Sequence, residues 1–261
     1  MTYFTQQDHQ AVFDGLRGVN SNAGLKSAYN KLYDLHECLA ARIRNYDLDL
    51  HTHWQKSATI SYRSAACSGE SDALALPYFR SREQAQLVER LMGRETLERS
   101  GEAAPHRHPV IELRLTPEHF AIELILSPFA WWDQQNFIGK LQLPRHRQTF
   151  HGLLSTIDSD YRFGFWDGVH LSDMHLTARE LRHGSVFEEW MHTFADGQDW
   201  LRIGKWYSPD ANEISDANIV GEVFSQIRRL HSLYSFMLWT SNNNFHSFYE
   251  KRHRQGRRLH A

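Results

Sequence analysis

A chain of 261 residues, 41% hydrophobic and 23% charged, is long enough to bury a sizeable core and too apolar for disorder to dominate. Its formal charge of -2 averages two unlike parts: Lys251, Arg252, Arg254, Arg257 and Arg258 crowd the last eleven residues with no acid, and removing those five from 29 basic residues leaves 24 against 31 acidic ones. This excludes a globally basic nucleic-acid binder, and the two cysteines, Cys38 and Cys67, exclude a disulfide framework.

The opening stretch, MTYFTQQDHQ, lacks the basic and apolar regions of a secretory signal, and no apolar run approaches the roughly 20 residues of a membrane span. A cytoplasmic protein that does not enter membranes is expected. The 8 Trp, 15 Phe and 10 Tyr point first to a thick core and second to a ligand-binding surface.

Residues 5–17 read as a short helix that Thr5 can cap. A longer helix over 25–45 places Leu25, Tyr29, Leu32, Leu35 or His36, Leu39 and Ile43 on one stripe, with Cys38 expected as a buried or half-buried thiol. The period then changes to two: DLDLHTHW (47–54) and ATISYRS (58–64) read as adjacent strands. A helix covers 82–92, followed by a polar stretch at 93–109 that reads as an insertion loop within a single domain spanning 1–261.

VIELRLT and HFAIELIL form a hairpin across Pro117 and Glu118, with Glu112, Arg114 and Glu123 expected on its exposed side. Helices follow from Pro128 and from Pro144, then a strand at 161–166, a helical region at 177–195 for which Asp173 is a candidate cap, and a strand at 199–207. The last helix, about 215–239, is apolar around most of its circumference, which places it centrally or at a subunit contact and makes a homo-oligomer through it an expectation. Together these elements predict an α+β fold: a mainly antiparallel sheet packed by several helices, with a long, largely buried C-terminal helix.

The common nucleotide-binding and hydrolase motifs are missing: GxxxxGK[ST], GxGxxG after a strand, HExxH, GxSxG and SxxK do not occur. With 17 histidines, chance alone supplies about one HxH pair, and two are present. Three constellations remain. Asp49, His51 and His53 share one face of the expected strand and suit a divalent metal, against the simpler reading of a wet sheet face. Asp167, His170 and His175 follow a strand end, where ligation or acid-base work competes with a plain turn. Trp131, Trp132 and Gln135 suit a small ligand, although tryptophans one residue apart diverge on a helix, so at least one should fill core.

The basic tail is the candidate nucleic-acid contact. Two functions follow: an interaction protein with a protein or nucleic-acid partner, or a metal-assisted hydrolase working through the His/Asp clusters.

Overall fold

The computed structural model describes residues 1–16, 22–52, 59–62, 64–65, 73–91, 107–166, 176–195 and 197–245. Six strands form one antiparallel sheet: β1 (Leu74–Tyr78), β2 (Val110–Leu115), β3 (Phe120–Leu126), β4 (Arg162–Trp166), β5 (Leu176–Thr177) and β6 (Trp200–Tyr207). Their order is β1-β2-β3-β6-β4-β5, so the last strand in sequence inserts between β3 and β4. The helices are α1 (Gln6–Leu16), α2 (Asn22–Asn45), α3 (Arg82–Leu91), α4 (Trp131–Leu141), α5 (Pro144–Leu154), α6 (Ala178–Leu181), α7 (Gly184–Thr193) and α8 (Ile219–Met237). The expected α+β class holds.

Period-two alternation puts Leu113, Ile122, Leu124, Ile203 and Phe163 on one sheet face, all buried in a single core. The buried stripe of α2 (Ala28, Leu32, Leu35, Leu39 and Ile43) closes onto the same core. α8 contacts α2, α4, α5, β2 and β3, which explains its broad apolar circumference within one chain. It leaves Gly221, Arg228, Ser232 and Ser235 exposed.

Local signals set several ends. Thr5 caps α1 as expected: its Oγ1 accepts from Asp8 N at 3.3 Å and the Asp8 carboxylate accepts from Thr5 N at 2.7 Å. Thr177 and Glu180 form the same reciprocal box on α6, while the expected cap, Asp173, lies outside the described residues. Pro144 opens α5.

The structure corrects four expectations. First, residues 47–52 are not a strand. Asp47 has φ 53°, Leu48 N donates to Ile43 O and Asp47 N to Arg44 O, a left-handed cap that ends α2. Beyond it His51 makes only an isolated bridge to Phe79, and Ser61 one to Ala75, so the described part of ATISYRS is not a strand either. Second, β1 was not among the expected strands, and it contains Pro77. Ala75 and Phe79 donate outward to Ser61 and His51, so the N–H that proline lacks falls on the sheet's outer edge, where no ladder needs it.

Third, Cys38 is exposed, on the face of α2 away from its stripe. Fourth, the hairpin's charged face is buried: Glu112, Arg114 and Glu123 are 1%, 2% and 0% exposed. The reason is tertiary. β6 brings Arg202, itself 1% exposed, beside Glu123, and Ser64 and Ala65 lie over Glu112. Within the expected insertion loop only 107–109 are described, and His108 there is buried beside Glu89 at 3.4 Å.

Candidate functional site

The α2 cap turns Asp49 outward, the bridge to Phe79 fixes His51, and the first turn of α3 brings in Gln84, whose N–H is capped by Ser81 Oγ at 3.3 Å. His51 Nε2 lies 2.8 Å from Asp49 Oδ1, and Gln84 Nε2 donates to Asp49 Oδ2 at 2.9 Å. The histidine and aspartate side chains are 46% and 51% exposed. Thus Asp49 and His51 do meet, but through a turn and a bridge instead of a strand face. His53, the third candidate, lies outside the described residues, as do Asp167, His170 and His175 and all five tail cations. Among the described residues no group of three His, Cys, Asp or Glu is arranged to hold a metal. Gln84 was missed in the sequence, since nothing in its neighbourhood marks a glutamine 35 residues downstream of Asp49.

The α4 corner separates its candidates. Trp131 is 46% exposed, as is neighbouring Phe129 at 49%. Trp132 is half-buried and meets Trp239 edge to face at 5.1 Å, so one tryptophan of the pair packs inward as the helical geometry requires. Gln135 is half-buried.

The inward polar residues of α4 hold the chain that follows α8. Asp133 accepts from Trp239 N at 2.6 Å and pairs with Arg80, both side chains 0% exposed. Asn136 Nδ2 donates to Met237 O at 3.0 Å, and its Oδ1 accepts from Phe245 N at 2.8 Å. Lys140 donates to Phe236 O and to Asn243 Oδ1, and burial brings its pKa down to about 8 despite the Asp133 charge. Gly139 leaves room for the Phe245 ring, which a Cβ there would approach to 2.5 Å.

Two further charged clusters are assembled by tertiary contacts, the first around hairpin residues that the sequence had placed on an exposed face. On the outer sheet face Glu123 receives Arg202 Nη2 at 2.6 Å, Arg114 Nη2 at 2.6 Å and Trp206 Nε1 at 3.0 Å. Burial alone would raise this carboxyl, but the two guanidiniums outweigh it and hold the pKa below the ordinary 4.5. Gly204, directly across the strand pair, admits the side chain: a Cβ would stand 2.5 Å from Glu123 Cγ. On the other face of β6, Lys205 lies 3.4 Å from both Asp158 and Asp160, Arg229 pairs with Asp158 at 2.5 Å, and Tyr207 donates to Glu222 at 2.6 Å. Both clusters consist of opposite charges answering one another, which is the pattern of a framework.

Buried histidines give a pH dependence. His9 Nδ1 lies 2.6 Å from Thr116 O, and His119 Nδ1 lies 3.3 Å from Thr116 Oγ1. Burial lowers both pKa values below 6.5, that of His119 to about 4, with Arg114 adding to the effect. A histidine depressed in the folded state adds stability that is complete above the unfolded value and is lost as pH falls toward the folded one. The unfolding free energy read from urea curves should therefore fall between about pH 6.5 and 4, most cleanly above about pH 5 where carboxylates stay ionised, by roughly 1–3 kcal/mol in total. His119→Asn should flatten that slope; an unchanged slope would refute the assignment.

Compared with known proteins, the chain matches no family model, and no curated protein is similar enough to count as a relative. The geometry defines an α+β protein built on one six-stranded antiparallel sheet. No helix among the described residues is long and apolar enough to cross a membrane.

Proposed function

We propose that this is a binding protein and not an enzyme, and that its partner is a single-stranded nucleic acid contacted by the basic tail and by Phe129 and Trp131. What supports the reading is the double role of α4. Its first turn carries the exposed indole of Trp131, and Gly139, about 12 Å further along the axis, seats Phe245. Lys251 follows Phe245 by only six residues, a span of at most about 20 Å. A strand whose phosphates meet the tail can thus lay a base on the indole, in the combination by which sequence-tolerant binders hold single strands. The charged clusters are poor alternatives for a partner, because their charges are turned toward each other.

Fluorescence anisotropy with a labelled 20-mer oligonucleotide, across a salt series, tests the reading. Removing residues 251–261 should weaken binding and flatten the log–log salt slope by up to about 3.5, near 0.7 for each of the five cations. Trp131→Ala should weaken it roughly tenfold, as loss of one stacked base does. Equal affinity and slope for the truncated chain would overturn the proposal and leave Phe129 and Trp131 to a protein partner.

A further inference from the structure

The geometry points to a divalent-cation site formed by Asp49, His51 and Gln84, with a donor set of carboxylate, imidazole and amide carbonyl that suits zinc and its first-row neighbours. Three elements bring His51 and Gln84 to the Asp49 carboxylate: the left-handed cap of α2, the bridge to Phe79 and the first turn of α3. Asp49 uses both carboxylate oxygens, one toward His51 at 2.8 Å and one toward Gln84 at 2.9 Å. Neighbouring ligands of an ion bound at about 2.1 Å stand roughly 3 to 3.4 Å apart, so each of the two contacts to Asp49 widens by about half an ångström when His51 and Gln84 turn toward a shared ion.

Gln84 supplies the second observation. Its Oε1 is buried and accepts no hydrogen bond among the described residues. A half-turn of the amide exchanges Nε2 for this oxygen; it gives up the hydrogen bond to Asp49 and turns the amide N–H groups to the buried side, and a cation between the two oxygens is what offsets that cost. The arrangement needs nothing from His53. Three protein ligands leave a fourth position to water, whose pKa such an ion lowers, and this is the one place among the described residues where the hydrolase alternative finds a geometric footing. The site is independent of the nucleic-acid reading and is tested without an oligonucleotide.

The test is calorimetric titration of zinc chloride into the full chain after chelator treatment and dialysis, with cobalt(II) absorption as the spectroscopic check. One equivalent should bind with a dissociation constant of about 10 μM or tighter. His51→Ala and Asp49→Asn should each weaken it at least about 30-fold, and Gln84→Ala about 3- to 10-fold. Gln84→Glu, which replaces a carbonyl with a carboxylate, should tighten binding, whereas a merely structural glutamine would give the reverse: two facing carboxylates and no gain. Thermal melts without metal check that each variant folds, and the exposed His183→Ala, on the N-cap of α7, should titrate like the parent. The site is overturned if the parent binds no equivalent below about 100 μM. It is also overturned if Gln84→Ala and Gln84→Glu both titrate like the parent, including the case in which His53→Ala alone abolishes binding.

Discussion

Glu123→Leu is expected to cost about 3–5 kcal/mol of folding stability, read as a shift in the urea denaturation curve at neutral pH. The carboxylate is fully buried between Arg114 and Arg202, which are themselves 2% and 1% exposed. Removing it leaves two guanidiniums in a poorly solvated face and deprives Trp206 Nε1 of its acceptor. Replacing both partners removes the uncompensated charge, so Glu123→Leu combined with Arg202→Met should cost clearly less than the two single changes added together. The sheet register sharpens the argument. Glu112 stands directly opposite Glu123, a like-charge pair made tolerable by the arginines and by the Ser64 and Ala65 donors on Glu112. A cost under about 1 kcal/mol for the single change would mean that water reaches this face and that the cluster behaves as a surface ion pair.

Asp133→Ala should be similarly severe, about 3–5 kcal/mol, for a different structural reason. Asp133 and Arg80 are both 0% exposed, and the same carboxylate accepts the Trp239 backbone N–H at 2.6 Å while Arg80 donates to the Trp239 carbonyl at 3.2 Å. The pair therefore clamps the chain where it leaves α8. Its loss takes the buried carboxylate away from Arg80 and releases the Trp132–Trp239 contact, so tryptophan emission should red-shift along with the loss of stability. Asp133→Asn keeps an oxygen for Trp239 and should fall between the parent and the alanine variant. An alanine variant that melts like the parent, with unchanged emission, would refute the clamp.

Much of the fold was legible because periodicity is a local signal. The α2 stripe, the β2–β3 hairpin, β4, β6 and α8 all carry apolar spacing dense enough to show which face turns inward. The DLDLHTHW alternation misled because period two is also what a helix cap followed by a short extended stretch displays. Asp47, one of the residue types that tolerate positive φ, sits where α2 must stop. β1 was not read from the sequence, and its Pro77 is compatible with a strand only because β1 lies at the sheet's edge with that position facing outward. The candidate cation site was half visible: Asp49 and His51 are two residues apart, but Gln84 joins them only through tertiary structure.

By itself, then, the sequence determined the α+β class, the hairpin, the central helix and the separation of an acidic body from a basic tail, all of which follow from spacing and composition along the chain. Only the tertiary structure decided that β6 inserts between β3 and β4. That insertion carries Arg202 to Glu123 and turns a face expected to be wet into a buried lattice of charges. Alternation reports which residues share a face. Whether the polar face meets water or its own counter-charges depends on what the rest of the chain lays beside it, and no local pattern encodes that neighbour.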